Sequence, residues 1–362
     1  MQCTRGFLRS FVLLVSLCTV FQLAPPAWAA PEGSLEVYEI DVEGGQSTLI
    51  VSPSGESMLI DTGWPGFDGR DAARIGAAAK AAGVSKLDYV LITHFHRDHV
   101  GGVPQLAGRT KIGTFVDHGK NLEDSDVTRE DYAAYEKAVA GAKRISPKPG
   151  DRIPIMGLEV EVLTAAGEHI SKPLAGAGEP NPLCAAEKDG EPDPSENARS
   201  LGVLITYGKI RVLDIGDLSK QKEMELVCPN NLIGRVDLFI VTHHGSDSSN
   251  PAALVHVIRP RVAIMDNGAK KGGSSVVWTT VTSSPGLQDL WQLHYAMDGG
   301  KDHNVAPDLI ANPEGAAGGG EDKGNYIHVT GKADGTMTVV NQRNGFKKDY
   351  GLQPPKLSGS AH

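Results

Sequence analysis

Thr93-His94-Phe95-His96-Arg97-Asp98-His99 decides both the fold and the chemistry of this 362-residue chain. It follows residues 89–92, a continuously apolar and β-prone run that predicts a buried strand. In extended backbone, residues two apart point the same way, so His94 and His96 can hold one metal ion together. Asp98 and His99 come next, where a second ion can lie. A solvated polar loop is the alternative, but four ligand-type residues at a strand end favour a pair of metal ions.

Two later strands also end in ligand-type residues. Residues 210–213 lead into Asp214-Ile215-Gly216-Asp217, and residues 236–241 lead into Thr242-His243-His244-Gly245-Ser246. We expect Asp217 to bridge the two ions. Adjacent residues on an extended chain face opposite ways, so either His243 or His244 should bind the second ion. The other should contact substrate or orient the loop, and spacing alone does not decide between them.

The H-x-H-x-D-H order resembles the signature of the metallo-β-lactamase superfamily. Residues 41–50, 59–63 and 241–249 are most similar to the exported hydrolase domain of ComEC-like competence DNA-uptake proteins. The resemblance implies an α/β fold, the αββα sandwich of the metallo-β-lactamase fold, with a dinuclear site at one edge. It also implies that an aspartate in the Leu-Ile-Asp-Thr-Gly context, here Asp61, braces the metal loop by hydrogen bonds.

Carried over to this chain, the resemblance implies seven residues as metal ligands. The metal ligands are His94, His96, Asp98, His99, Asp217, His243 and His244. The first two would hold the first ion, Asp98 and His99 the second, and Asp217 both. The chain departs from the wider superfamily because no histidine sits convincingly where the first ion's third ligand belongs. His169, Asn197, which matches the competence-type pattern, and a water molecule remain as alternatives, and His118 is interpreted as an ordinary loop histidine.

Imidazole and carboxylate ligands predict two zinc ions, with manganese or iron as alternatives. We expect hydrolysis by a metal-bound hydroxide, with catalytic contributions from Asp98, His243 and His244. A phosphodiester is the first choice of substrate, because the competence-type look-alikes act on phosphodiesters. A lactone, thioester or β-lactam is the second choice, and a non-catalytic exported metal-binding protein is the third. His294 and His303 could stabilise developing charge if they fold over the site.

The first 29 residues have the features of a secretory signal peptide. Arg5 and Arg9 precede the apolar run 11–24, and Ala27-Trp28-Ala29 offers an A-x-A cleavage site. We therefore predict a signal peptide at 1–29, a hydrolase domain at 30–350 and a flexible tail at 351–362. The mature protein should be secreted or periplasmic, without a membrane segment.

Charge and cysteine content limit the possible partners. Cleavage removes two arginines and no acid, so the formal net charge of −9 becomes −11. An acidic protein is poorly suited to bulk capture of nucleic acid. We expect a small-molecule or short phosphodiester substrate rather than a stable nucleic-acid partner. Cys184 and Cys228 remain after cleavage and could form a disulfide in an oxidising compartment.

Apolar patterning and turn residues predict the remaining elements. The helices are expected to begin at Asp68, at a capping box of Thr128 and Asp131, and near Asn250. The first of these should end at Gly83, and the second near residue 140. Strands are predicted at 35–42, 47–51, 57–60, 112–116, 158–163, 201–206, 261–265, 325–329 and 336–341, with a long loop at 171–197.

Overall fold

The structure is a computed structural model that describes residues 33–188, 190–313 and 322–351. The predicted signal peptide, nearly all of the predicted tail and most of the glycine-rich segment 313–324 lie outside the described residues. Within the described residues, no helix combines the length and apolar character needed to cross a bilayer.

The strands agree closely with the alternating and apolar runs of the sequence. They are β1 Ser34–Glu39, β2 Thr48–Val51, β3 Ser57–Ile60, β4 Leu87–Leu91, β5 Ile112–Val116, β6 Lys143–Ile145, β7 Arg152–Ile153, β8 Glu159–Ala165, β9 Glu168–His169, β10 Gly202–Tyr207, β11 Ile210–Asp214, β12 Leu238–Ile240, β13 Val262–Met265, β14 Asp289–His294, β15 Ile310–Asn312, β16 Ile327–Lys332, β17 Met337–Asn341 and β18 Lys347–Tyr350. The α-helices are α1 Arg70–Ala81, α2 Arg97–Val100, α3 Val103–Ala107, α4 Asp126–Ala138, α5 Lys220–Val227, α6 Ala252–Ile258 and α7 Ser275–Thr282.

These strands form two nine-stranded sheets. The first has the order β18-β17-β16-β1-β2-β3-β4-β5-β6, and β3 to β6 run parallel. The second has the order β15-β14-β13-β12-β11-β10-β8-β7, with β9 beside β8, and β11 to β15 run parallel. Because the carboxyl ends of parallel strands meet at one edge, the loops after β4, β11, β12 and β13 can share a site there.

Alternation along the strands divides the apolar residues into three cores, which define four layers. Val37 and Val203 face the core between the sheets. Their neighbours Tyr38 and Leu204 face outward. Tyr38 belongs to a core built with α1, α3 and α4, and Leu204 to one built with α5, α6 and α7. The predicted αββα sandwich is therefore confirmed.

Two helix starts differ from the sequence prediction. Ser125, not Thr128, caps α4, and its hydroxyl accepts a hydrogen bond from the Thr128 backbone N–H. Asp68 does not cap α1, because Gly69 stands at that position and Asp68 has a left-handed backbone with φ 52°. Both segments contain several cap-forming residues in a row, and tertiary contacts of the preceding loop select among them.

Cys184 and Cys228 form a disulfide. The bond connects the long loop after β9 to the end of α5. It settles the pairing that the sequence left open.

Candidate metal centre

The loop after β4 places His94 inside the protein. Its side chain is buried, and its Nδ1 atom lies 3.0 Å from the Thr93 hydroxyl. Its Nε2 atom has no hydrogen-bond partner among the described residues. The ring centroid of His96 is 4.7 Å from that of His94, and the ring of His99 is 4.1 Å from it. The short helix α2 thus folds the ligand-type residues of one segment back onto each other.

Asp61, at the end of β3, holds this loop in place. One carboxylate oxygen accepts a 2.8 Å hydrogen bond from the Thr93 backbone N–H. The other lies 2.6 Å from the Thr93 hydroxyl and 2.7 Å from His99 Nδ1. Burial raises the pKa of Asp61 despite the opposing effect of His99. The predicted bracing hydrogen bonds are present, and they leave His99 Nε2 facing the site.

Four buried ligand-type residues from both sheets converge at the strand ends. Asp98, His99, Asp217 and His244 each offer one ligand atom, and these atoms lie within 4.8 Å of one another. His99 Nε2 is 3.2 Å from Asp217 and 3.4 Å from Asp98. His244 Nε2 is 3.2 Å from Asp98 and 3.4 Å from Asp217. Asp217 therefore lies between the two imidazoles of this group, and its predicted role as a bridge between two ions stays a prediction.

The donor atoms of this group fit a divalent cation. His99 Nε2, His244 Nε2 and Asp217 Oδ1 are buried and contact one another only as ion pairs, without a hydrogen bond of good geometry within the described part of the chain. Buried polar atoms of this kind are well placed to act as metal ligands. Two imidazoles and two carboxylates suit zinc, and manganese or iron are also compatible.

Charges within the group compensate one another. Burial would raise the pKa of Asp98, but His99 and Lys271 bring it well below its usual range. Burial would lower the pKa of His244, but Asp217 and Asp266 help to raise it to about 10. Metal binding must compete with protonation of these imidazoles, so the affinity for metal should rise with pH.

The structure places His243 and His244 in different parts of the site, a distinction that sequence spacing alone did not allow. His244 is fully buried in the group, and Asp266 lies 3.0 Å from its Nδ1 atom. His243 lies at the rim with 19% of its side chain exposed, and its Nε2 atom is 3.4 Å from Asp217. The prediction of an extended backbone here is wrong: both residues are left-handed, with φ 56° and 54°, within a 3-10 turn.

Asn197 lies beside the His94 segment, whereas His169 does not. Hydrogen bonds join the 3-10 turn Glu196–Arg199 and the nearby Leu201 to the backbone on both sides of His94. Glu196 accepts a hydrogen bond from Phe95 N, and Leu201 N donates to Thr93 O. The Asn197 Oδ1 atom is buried and has no partner among the residues that the structure describes. His169 instead lies on β9, 3.3 Å from Glu225 on α5.

A buried histidine and a partly exposed glutamate support this turn. His118 was interpreted as a loop histidine, but it is buried, and its Nε2 atom is 2.8 Å from the Glu196 carboxylate. Glu196 also accepts a hydrogen bond from Leu122 N. Glu123, one residue further on, lies 2.9 Å from His96 Nε2 and accepts from Glu196 N. These carboxylates connect the loop before α4 to the metal loop, and no motif in the sequence pointed to them.

Lys271 also lies at the site, although no motif in the sequence pointed to it. Its ammonium group contacts the Asp98 carboxylate and lies 5.1 Å from the centre of the Trp64 ring. Its loop follows β13 and packs closely on the site: a Cβ atom added to Gly272 would lie 2.0 Å from the His244 carbonyl oxygen. Only tertiary folding brings this lysine to the metal ligands.

His294 and His303 do not lie over the metal group. His294 Nε2 is 2.7 Å from Asp41, within a separate network that includes Glu43 and Arg74. The ring of His303 packs edge-on against Trp278.

The two sheets of the αββα sandwich place imidazole and carboxylate side chains at one shared edge, which forms a candidate metal centre. Comparison with protein families matches residues 40–182 to the Metallo-beta-lactamase superfamily. The chain is similar to this superfamily and, within it, to ComEC-like competence proteins.

The individual relatives include competence proteins and metal-dependent hydrolases. The chain is 27% identical to ComE operon protein 3 of Bacillus subtilis (strain 168), over 64% of this chain and 28% of that protein. It is also 27% identical to a UPF0173 metal-dependent hydrolase of Anaeromyxobacter sp. (strain K), over 65% of this chain and 76% of that protein. The chain thus spans little more than a quarter of the length of its competence-type relatives.

Among solved structures, the metallo-beta-lactamase fold protein YhfI from Bacillus subtilis matches with a TM-score of 0.44 and 15% identity. The match covers 71% of this chain and 96% of that one.

Proposed function

We propose that this protein is an exported metallo-hydrolase that cleaves phosphodiester bonds in small or short substrates. The observation that carries the hydrolase assignment is the buried group of Asp98, His99, Asp217 and His244, whose ligand atoms converge within 4.8 Å. A purely structural metal site has its coordination closed by protein ligands. Here a rim histidine and a lysine adjoin the group, which suits a site that admits a substrate.

Asp98, His99, Asp217 and His244 would hold one ion, and His94 and His96 a second, with zinc as the proposed metal. When bound, the ions supply a water molecule of lowered pKa and neutralise charge that develops on the substrate. Asp61 and Asp266 orient the imidazoles of His99 and His244 through their Nδ1 atoms.

His243 and Lys271 are the groups best placed to contact substrate. His243 lies at the rim, with Ser248 Oγ 3.0 Å from its Nδ1 atom. Burial lowers the pKa of His243, so its imidazole is neutral at neutral pH. We assign to His243 the orientation of the substrate's leaving group, and to Lys271 a contact with a negatively charged oxygen. Asp98 and His244 act by holding metal.

A phosphodiester is favoured over a carbonyl substrate by the ammonium group of Lys271 beside Asp98. A phosphodiester carries a negative charge that this group can neutralise, whereas a lactone or thioester carries none at the reacting centre. The similarity to competence-type proteins points the same way. The net charge of −9 supports a small or short substrate over stable binding of long nucleic acid.

The Cys184–Cys228 disulfide supports the proposed export, because such bonds persist mainly in oxidising compartments. The predicted signal peptide at 1–29 gives the route. Mass spectrometry of the protein recovered from culture medium or periplasm should find a mature N-terminus at residue 30, and retention of all the protein in the cytoplasm would contradict export.

The test of function is turnover by the metal-loaded protein. Protein freed of metal with a chelator and reloaded with zinc or manganese is assayed on bis-p-nitrophenyl phosphate, nitrocefin and a lactone. We expect hydrolysis of the phosphodiester, its loss without metal, and its loss in His96→Ala and His244→Ala. The matched control is His256→Ala on α6, where the imidazole contacts the Thr280 carbonyl and the Ser283 hydroxyl, away from the candidate metal centre. Turnover of nitrocefin or the lactone alone would replace the proposed substrate, and absence of all turnover would leave a metal-binding protein.

A further inference from the structure

The candidate metal centre offers two unequal sets of donors. The carboxylate position consists of Asp98, His99, Asp217 and His244. We call His94 and His96, whose rings lie 4.7 Å apart, the histidine position, and we assign to it Asn197, whose buried Oδ1 atom lies on the turn that is hydrogen-bonded to the His94 segment. We propose that the carboxylate position binds its metal ion tightly and fills first, and that the histidine position fills only weakly because an amide oxygen is its third donor. This inference rests on the proposed metal centre but not on the proposed substrate.

Charge is the first reason for the inequality. The carboxylate position provides two buried carboxylates, Asp98 and Asp217, which together neutralise a divalent cation. His94, His96 and Asn197 are neutral donors, and any negative charge must come from the shared Asp217. Affinity for a cation rises with the number of charged ligands. An ion in the histidine position would also be repelled by the ion already bound nearby.

The supporting contacts strengthen the same difference. Both imidazoles of the carboxylate position have a carboxylate at Nδ1: Asp61 at 2.7 Å for His99 and Asp266 at 3.0 Å for His244. Such partners fix the orientation of the ring and increase its basicity. His94 has only the Thr93 hydroxyl at Nδ1.

The histidine position also has fewer imidazole nitrogens available to bind a metal ion. His96 Nε2 is 2.9 Å from Glu123, which leaves only Nδ1 for a metal. The third donor must then come from the turn at Glu196–Arg199, whose Asn197 Oδ1 is buried without a partner among the described residues. A neutral carbonyl oxygen is a poorer zinc ligand than an imidazole nitrogen. Substitution of this one residue should therefore change the affinity of one position and not of the other.

The experiment measures metal binding directly. Metal-free protein is titrated with zinc against a chromophoric chelator, and the ions retained after dialysis are counted by mass spectrometry. We expect two dissociation constants that differ by about tenfold or more, with one ion retained per chain. Asn197→His should bring the retained number close to two, and Asn197→Ala should leave the tight ion in place.

Variants of the ligands assign the two constants. His244→Ala should abolish the tight ion, whereas His96→Ala should leave it. Since His244 is fully buried, Asp98→Asn serves as a second variant of the same position, and circular dichroism verifies that each variant folds. Two equal constants in the parent protein, or loss of the tight ion in His96→Ala but not in His244→Ala, would overturn the proposal. These results do not depend on turnover, so failure of the proposed phosphodiesterase activity would be seen separately.

Discussion

Replacement of Lys271 by methionine tests whether the site recognises an anion. The ammonium group of Lys271 contacts the Asp98 carboxylate. When a cation binds Asp98, this carboxylate is neutralised, and the ammonium group is free to face a substrate oxygen. Lys271→Met keeps most of the length of the side chain and its packing near Trp64, and removes only the charge.

The expected loss follows from charge and exposure. Two unit charges about 4 Å apart interact by about 4 kcal/mol at an effective dielectric constant of about 20. The Lys271 side chain is 38% exposed, so solvent screens part of this attraction. We take the loss of transition-state stabilisation in Lys271→Met as about 2 kcal/mol, which is within the range for hydrogen bonds to charged groups. That value corresponds to a decrease in kcat/KM of about 30-fold.

The assay compares an anionic with a neutral substrate at equal metal content. Lys271→Met should lose about 30-fold in kcat/KM on bis-p-nitrophenyl phosphate and less than threefold on p-nitrophenyl acetate. Lys271→Arg should keep most of the activity, and Lys270→Met, an exposed neighbour in the same loop, is the matched control. An equal loss on both substrates would show that Lys271 acts through Asp98 and the metal. No loss on either would refute the contact.

The remaining predictions concern the metal loop and stability. Asp61→Asn should weaken metal binding by about 10- to 100-fold in chelator competition, because His99 loses its charged partner. Gly45→Ala should displace Asp98 and lower metal content, since the added Cβ atom would lie 2.3 Å from the Asp98 carbonyl oxygen. Removal of metal by a chelator should lower Tm. The free energy of unfolding should fall by about 2.7 kcal/mol if the free metal had been at 100 times its Kd. Burial raises the pKa of Glu223 from 4.5 to about 8, so folding favours its protonated form and stability falls as pH rises through that interval. Glu223→Gln should reduce this slope by up to about 1.4 kcal/mol per pH unit in urea titrations.

A matched variant distinguishes these effects from general damage. Gly76→Ala on α1 meets no atom within 4 Å and should raise stability by about 0.5–1 kcal/mol without changing metal content. Full metal content in Gly45→Ala, or an unchanged pH slope in Glu223→Gln, would contradict the respective structural argument.

The fold could be predicted from sequence because its strands alternate between two apolar environments. Residues 57–60 were predicted as a strand and form β3, and residues 112–116 form β5. Helix α7 and strand β18 were not predicted. The first, Ser275–Thr282, is rich in valine and threonine, which are not typical of helices. The second, Lys347–Tyr350, is short, mostly exposed and at the edge of its sheet.

The site was predictable where its ligands are close together in sequence. His94, His96, Asp98 and His99 lie within six residues, and the structure keeps them together. The choice between His243 and His244 was not accessible, because the left-handed turn that separates them depends on packing against neighbouring loops. Lys271 gave no signal for a related reason: it lies 173 residues from Asp98 in a loop with no recognisable motif.

The position of the carboxylate group explains why the residues around it carry so many opposed charges. Asp98 and His99 come from the loop after β4 in one sheet, and Asp217 and His244 follow β11 and β12 in the other. Packing of the two sheets therefore forces buried carboxylates together, which is unfavourable unless cations join them. The ammonium group of Lys271 and the imidazoles of His99 and His244 lie beside these carboxylates. A metal ion held by the same side chains would link the two sheets through its ligands, so that binding energy at the centre would become stability of the sandwich. Under the proposed function, a metal ion on Asp98 would also leave Lys271 available to contact an anionic substrate, which would connect metal loading to recognition of an anion.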